Sequence, residues 1–162
     1  MNTINKDKEF EDAINRFGGV ITRICYYFST DSEEFKDLRQ EVFYNIWRGL
    51  DKFNNDSKLS TWIYRVSFNT CISFRRKNKK INKVSVQTLI DMPEGEAHYS
   101  TKEEYKMLHE LILQLRFEER AIILMWLDEM SYDEISQLTG LNRNTVAVKI
   151  KRIKEKLIKM GR

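Results

Sequence analysis

The sequence is poor in the residues that end strands and form tight turns, with only one proline and six glycines among its 162 residues. Sheets and hairpins need such residues, so their scarcity favours helices joined by few loops. The longest apolar run, Ala121 to Leu127, is seven residues long, far short of the roughly 20 that cross a bilayer. The first eleven residues are too polar for a secretory signal. We expect a cytoplasmic, all-α protein with no membrane insertion of its own.

Cysteine and histidine are equally scarce, with two of each. Cys25 and Cys71 lack C-x-x-C spacing and are predicted to be reduced core residues. Neither His98 nor His109 has a partner at the spacing of a metal site or catalytic triad, and His109 is predicted to lie on a helix surface. There is no glycine-rich phosphate loop. The sequence therefore predicts no catalytic residue, no metal, no cofactor and no enzymatic activity.

The charges are distributed unevenly along the chain. The net charge is only +4, but residues 72–90 carry +6 and residues 143–162 carry +7, which leaves −9 on the remainder. This asymmetry is typical of a protein that contacts a polyanion at two places and presents its acidic parts to another partner. For either basic block alone, a solvated helix face is an equal alternative.

Apolar residues recur at helical spacing in two separate parts of the chain. Two helices are predicted around Phe10–Phe28 and Leu38–Leu50, and Ser60 is predicted to cap a third. The periodicity then stops in a stretch that contains the only proline, and it resumes near residue 101. The predicted organisation is two small helical domains and a linker, at residues 1–80, 101–162 and 81–100 respectively.

The second domain contains the parts of a helix-turn-helix. Ser131 and Glu134 form a capping box, Gly140 supplies a left-handed turn residue, and Asn142 can cap the last helix. That helix can enter a major groove with its N-terminal residues and outer face. An ordinary helical hairpin with a basic surface is the alternative. Candidates for base edges are Arg143, Asn144 and Lys149, and candidates for phosphates are Lys151, Arg152, Lys154 and Lys156.

Two sequence motifs in the first domain are similar to those of a known protein family. The segment from Asp37 to Trp47 reads DLRQEVFYNIW, and Ser60 to Arg65 reads STWIYR, followed by Asn69 and an Arg/Lys run. Together they resemble region 2 of bacterial RNA polymerase sigma factors, in the extracytoplasmic function (ECF) group. The helix-turn-helix resembles region 4 of the same family. Many members have Lys-Ser after Thr-Val, where this chain has Ala147 and Val148.

The resemblance implies a sigma factor that binds core RNA polymerase, recognises −10 and −35 promoter elements and promotes melting. Its partners would be the clamp helices of the largest polymerase subunit, the flap of the second subunit, promoter DNA and an anti-sigma factor. The implied polymerase contacts are Asp37, Gln40, Glu41, Phe43 and Trp47. The implied −10 contacts are Asn54, Asn55, Asp56, Ser57, Lys58, Trp62, Tyr64, Arg65, Asn69, Arg75, Arg76 and Lys77. The implied −35 contacts are Arg143, Asn144, Thr145, Lys149, Lys151, Arg152 and Lys156.

Two other functions and several simpler residue roles stay open at this point. A stand-alone helix-turn-helix regulator needs only the second domain and leaves the Asp37–Trp47 string without a purpose. An enzyme that acts on DNA, such as a recombinase, needs a nucleophile that the sequence does not display. Trp62 and Tyr64 are compatible with simple core packing.

Overall fold

A computed structural model describes residues 3–78 and 102–162, and every regular element in these residues is helical. The predicted all-α class is confirmed. The helices are α1 (Thr3–Phe28), α2 (Ser32–Gly49), α3 (Leu59–Lys77), α4 (Lys102–Leu113), α5 (Phe117–Leu127), α6 (Tyr132–Thr139) and α7 (Arg143–Met160), with a 3₁₀ turn at Leu50–Lys52. None of the helices in these two ranges is long and apolar enough to cross a membrane.

The chain divides into an N-terminal unit, Met1–Pro93, and a C-terminal unit, Glu94–Arg162. The N-terminal unit holds α1 to α3 and the C-terminal unit holds α4 to α7. The predicted linker at 81–100 lies outside the described residues. The predicted domain limits of 1–80 and 101–162 therefore remain predictions.

In the N-terminal unit the three helices pack against one another in every pairing. Each helix contributes an apolar stripe, because side chains three and four residues apart share one helix face. The fully buried side chains include Ile21, Ile24, Phe28, Leu38, Val42, Ile46, Ile63 and Phe68. Cys25 and Cys71 lie in the same core, as predicted, and burial raises the pKa of the Cys71 thiol, so it stays protonated and unreactive.

Helix α3 starts differently from the sequence prediction. It begins at Leu59, and its N-cap is Lys58, whose side chain makes no capping hydrogen bond. The prediction that Ser60 is the cap is wrong, since this serine lies inside the first turn. The backbone carbonyl of Lys58 accepts from the Trp62 amide at 3.1 Å. The Trp62 ring packs against Phe53, so tertiary packing rather than a polar cap sets this end of the helix.

In the C-terminal unit, α5 is the central element, with all residues from Arg120 to Met125 buried. The Arg120 guanidinium donates to the carbonyl oxygens of Leu113 and Leu115 and so fixes the end of α4. The predicted helix-turn-helix is present in α6 and α7. Ser131 and Asn142 cap these helices as predicted, and Gly140 takes the left-handed conformation with φ of 76°, which costs glycine little.

His109 is buried, with 5% of its surface exposed, so the predicted surface position is wrong. Lys106 and Glu110, close to it in sequence, are exposed, but the face of α4 that carries His109 is turned into the domain. Burial lowers the pKa of the imidazole to about 4, and the charge of Arg120 acts in the same direction. The folded unit thus holds His109 neutral.

This lowered pKa predicts an acid-sensitive C-terminal unit. Below about pH 6.5 the unfolded chain binds a proton at His109, whereas the folded unit binds it only near pH 4, so unfolding is favoured as the pH falls between these values. From about pH 7.5 to about pH 5, His109 should lower the free energy of unfolding by about 2 kcal/mol. Amide hydrogen exchange in α5 to α7 measures this change in the free energy of unfolding. A His109→Gln variant should lack this loss; parallel pH profiles for the two proteins would refute the assignment.

Candidate nucleic-acid and partner interfaces

The outer face of α7 forms the clearest candidate surface. Val146, Ile150 and Ile153 are buried and hold the helix against the rest of its unit. The opposite side of the helix borders a shallow groove of about 420 Å³. The groove is lined by Asn142, Asn144, Thr145, Val148, Lys149 and Arg152. Polar and cationic side chains at the N-terminal half of an exposed helix are suited to base edges and phosphates.

Four of the predicted −35 residues meet in this groove: Asn144, Thr145, Lys149 and Arg152. Lys151 is exposed on the same helix but does not line the groove. The other two have partners within the unit. Arg143 pairs with Asp133 at 3.3 Å, and Lys156 pairs with Glu119 at 3.1 Å. Val148 also belongs to this surface. It was not among the predicted contacts, although its spacing of four residues from Asn144 indicates a shared face.

The outer face of α3 forms a second candidate surface. Asn69, Arg76 and Lys77 are exposed, and Trp62 and Arg65 are half-buried. Helical spacing places Arg65, Asn69 and Arg76 on one stripe, with Trp62 beside it. Tyr64 lies nearer the core, where its ring stacks on that of Phe68 with 6.1 Å between centroids. The structure thus separates Tyr64 from the other predicted −10 residues of this helix.

Arg75 does not belong to this surface. Only 2% of its side chain is exposed, and its guanidinium forms an ion pair with Glu34 at the start of α2. Burial lowers the pKa of Arg75, and nearby Asp31 opposes that shift. The prediction that Arg75 contacts DNA is therefore wrong, because its charge is used inside the fold. The sequence could not show this, since Arg75 stands within a run of three basic residues.

The loop before α3 presents its polar side chains outward. Asn54, Asn55, Asp56 and Lys58 are exposed, and Ser57 is half-buried. Asn55 has φ of 63°, a left-handed conformation that asparagine tolerates better than most residues. The structure therefore brings the predicted loop residues next to the start of α3.

Trp62 joins this loop to α2. Its ring lies 5.3 Å from that of Phe53 between centroids. A methyl group built on Gly49 would approach Cζ2 of Trp62 to 2.8 Å, so only glycine lets α3 lie this close to α2. Core packing is thus one role of Trp62.

A Gly49→Ala substitution should therefore destabilise the N-terminal unit. Because the indole must move away from the added methyl group, we expect a loss of about 1–3 kcal/mol in the free energy of unfolding. The matched control is Gly18→Ala in α1, where the added methyl would meet Ile14 at an ordinary 3.7 Å. That change should stabilise the helix by about 0.5–1 kcal/mol. Urea titrations of both variants test the prediction, and a neutral Gly49→Ala would contradict it.

The outer face of α2 differs in charge from these two surfaces. Asp37 and Gln40 are exposed and Glu41 is half-buried. Tyr44 is 56% exposed and follows at helical spacing, so it extends this face although the sequence analysis did not select it. The exposed charges of α2 are of both signs, with Glu33 and Asp37 against Lys36 and Arg48. A face of mixed charge with an exposed aromatic ring suits a protein partner better than DNA.

Phe43 and Trp47 are half-buried at the edge of the α2 face. The Trp47 indole has contacts of its own in the fold: the Lys6 ammonium lies 3.9 Å from its ring centroid, and its Nε1 donates to Asp7 at 3.1 Å. Lys6 also pairs with Asp51 at 2.5 Å. Trp47 thus ties the start of α1 to α2, and the sequence pattern held no sign of this link.

The residues 3–78 and 102–162 contain no group of three or more His, Cys, Asp or Glu side chains that could hold a metal ion.

Comparisons with known proteins match both units. The family model of sigma-70 region 2 matches residues 13–81, and that of sigma-70 region 4 matches residues 105–157. The ECF RNA polymerase sigma-E factor of Escherichia coli (strain K12) is 31% identical, over 76% of this chain and 72% of its own. The ECF RNA polymerase sigma factor SigW of Bacillus subtilis is 27% identical, over 94% of this chain and 89% of its own.

Two solved structures share the fold. One is the sigma factor RpoE in complex with the anti-sigma factor NepR from Bartonella quintana, with a TM-score of 0.70 and 18% identity, covering 93% of this chain and 94% of the other. The second is CnrH in complex with the cytosolic domain of CnrY, with a TM-score of 0.68 and 20% identity, covering 95% of this chain and 88% of the other.

Proposed function

This chain belongs to the ECF group of the sigma-70 family, and on that premise we propose how its surfaces divide the work of promoter recognition. Sigma factors are transcription initiation factors that bind core RNA polymerase and promoter DNA. We assign polymerase binding to the outer face of α2, the opened −10 strand to α3 and its preceding loop, and the −35 duplex to α7. In this assignment the chain catalyses no reaction itself and acts in the cytoplasm, where the polymerase is.

One observation supports this division above the others. The exposed cationic side chains of α3 and α7 project from helices whose opposite faces are buried, whereas the exposed charges of α2 are of both signs. A rigid helix with a fixed inner face can present its outer groups to a polyanion in one orientation. The exposed charges of α2 balance one another, so this face does not attract a polyanion and is free for the clamp helices of the largest polymerase subunit.

The −10 surface combines groups that suit unpaired bases. Trp62 offers an aromatic ring, Asn69 an exposed amide, and Arg65 and Arg76 positive charge along one stripe. Single-stranded DNA is bound by such stacking and backbone attraction. We therefore propose Arg76 and Lys77, without Arg75, as the basic end of this surface.

Two further partners belong to the proposal. The flap of the second polymerase subunit is proposed to bind the C-terminal unit. RpoE is solved with the anti-sigma factor NepR, and CnrH with the cytosolic domain of CnrY. We propose that an anti-sigma factor also binds this chain.

The test is reconstitution with sigma-free core polymerase. We expect the chain to bind core and to start transcription at sites that share two spaced elements. Absence of both core binding and site-specific initiation would refute the proposal. A stand-alone regulator would instead bind a palindromic duplex without polymerase, and an enzyme acting on DNA would cut or join strands.

The α2 assignment has a sharper test. Asp37→Lys reverses a charge on the exposed face of α2. We expect core binding to weaken about tenfold, because a partner surface whose charge complements the aspartate would repel the lysine. Asp12→Lys makes the same change on an exposed position of α1 and should leave core affinity unchanged. Equal effects of the two variants, measured by fluorescence anisotropy with labelled protein, would contradict the assignment.

A further inference from the structure

Val148 is an exposed apolar residue in a groove whose other lining residues are polar or charged. Its side chain is 47% exposed, and the groove around it is lined by amide, hydroxyl and cationic groups. It lies four residues after Asn144 and four before Arg152, so the three share the outermost stripe of α7. The buried inner residues Val146 and Ile150 stabilise the helix without it. Core packing therefore does not explain why a valine stands at position 148.

We infer that Val148 determines part of the promoter specificity by contacting the C5-methyl group of a thymine in the −35 element. The inference rests on the proposed function, in which α7 enters the major groove. Thymine is the base that displays an apolar group there, whereas the edges of guanine, cytosine and adenine display only donors and acceptors. A valine placed over those edges would remove water from polar groups without replacing their hydrogen bonds.

The neighbours of Val148 indicate where the thymine lies. Asn144 is one helical turn earlier, about 6 Å along the axis, and successive base pairs are about 3.4 Å apart. The thymine is therefore within about two base pairs of the pair that Asn144 contacts. Asparagine makes two hydrogen bonds with adenine, so Asn144 and Val148 together specify a short A·T-rich part of the element, while Lys149 and Arg152 are placed for phosphates.

The experiment uses the full chain bound to core polymerase. Duplexes are first selected from a randomised −35 segment, and each selected thymine is then replaced singly by deoxyuridine, which removes only the methyl group. Burial of one methyl group corresponds to about a fourfold change in affinity, so one position should show a loss of about fourfold. In Val148→Ser this loss should vanish, and repeated selection should no longer favour thymine there.

Ile158→Ser is the matched control, because Ile158 is an exposed apolar residue of α7 outside the groove. It should keep the fourfold deoxyuridine effect. Selection of a sequence with no methyl dependence at any position would overturn the inference alone, as would a Val148→Ser protein that retains the effect. Failure to select any duplex with active core enzyme would overturn the assignment of α7 to the −35 element, and the inference with it.

Discussion

Arg75→Ala is expected to destabilise the N-terminal unit by about 3–5 kcal/mol, whereas Arg76→Ala should change its stability by less than about 0.5 kcal/mol. The two residues are adjacent and carry the same charge. They differ in their surroundings: Arg75 is buried against Glu34, and Arg76 is exposed. The pair forms a matched test of what burial does to a charged side chain.

The large expected effect of Arg75→Ala follows from the partner that would be left behind. The Glu34 side chain is only 14% exposed, and its Oε1 also accepts from the backbone amide of Thr30 at 3.0 Å. Removal of the guanidinium leaves this carboxylate partly desolvated without its cation, which costs more than the ion pair contributes. The pair also joins the last turn of α3 to the first turn of α2, so the loss reaches two helices.

Amide hydrogen exchange in α1 to α3 measures the effect separately from the C-terminal unit. The double variant Glu34→Gln, Arg75→Gln removes both charges and should recover a substantial part of the loss, which marks the unpaired carboxylate as its cause. Equal stabilities of Arg75→Ala and Arg76→Ala would contradict the structural assignment. Arg76→Ala should impair promoter melting in a protein that remains fully folded.

The double variant Lys149→Ala, Arg152→Ala should weaken promoter binding about 60-fold at about 0.1 M salt. Both residues line the α7 groove, and each is proposed to neutralise one phosphate. Each lost phosphate contact reduces the steepness of the negative slope of log affinity against log salt by about 0.9. Two lost contacts therefore reduce it by about 1.8, which corresponds to a roughly 60-fold loss of affinity at about 0.1 M salt. The measurement is a salt titration of duplex binding by the chain on core polymerase.

The control removes the same charge from the same helix. The control is the double variant Lys154→Ala, Lys156→Ala. Both deleted ammonium groups have partners within the unit: Nζ of Lys154 lies 4.7 Å from the Trp126 ring centroid, and Lys156 pairs with Glu119. We expect a loss of less than about fivefold and a nearly unchanged salt slope. This control also tests the sequence prediction that Lys156 contacts the −35 element. Equal losses in the two double variants would show that net charge, and not the groove, drives binding.

These two predictions share a physical basis. A basic residue in a sequence can serve as a contact for a polyanion or as one half of an internal ion pair, and both roles demand the same side chain. Arg75 and Lys156 have acidic partners within the fold, whereas Arg76 and Lys149 are exposed. Mutagenesis of whole basic runs would mix loss of stability with loss of DNA binding, so residues with an internal partner must be changed separately from exposed ones.

The sequence by itself determined the local features. Helical periodicity located the helices, and Ser131, Gly140 and Asn142 marked the ends of α6 and α7, because caps and left-handed turns depend on residues only a few positions apart. The family followed from the strings around Asp37–Trp47 and Ser60–Arg65, whose spacing is also local. The basic blocks could be counted directly, and they indicated a polyanionic partner.

Only the tertiary structure decided which side of each helix is covered. Arg75 and Arg76 are identical in type and adjacent, yet Arg75 is buried. His109, expected at the surface, is buried as well, whereas the apolar Val148 is exposed. The reason is that burial depends on which other helix packs against a given face, and that partner lies far away in sequence. Glu34, 41 positions before Arg75, illustrates a contact that no local pattern contains.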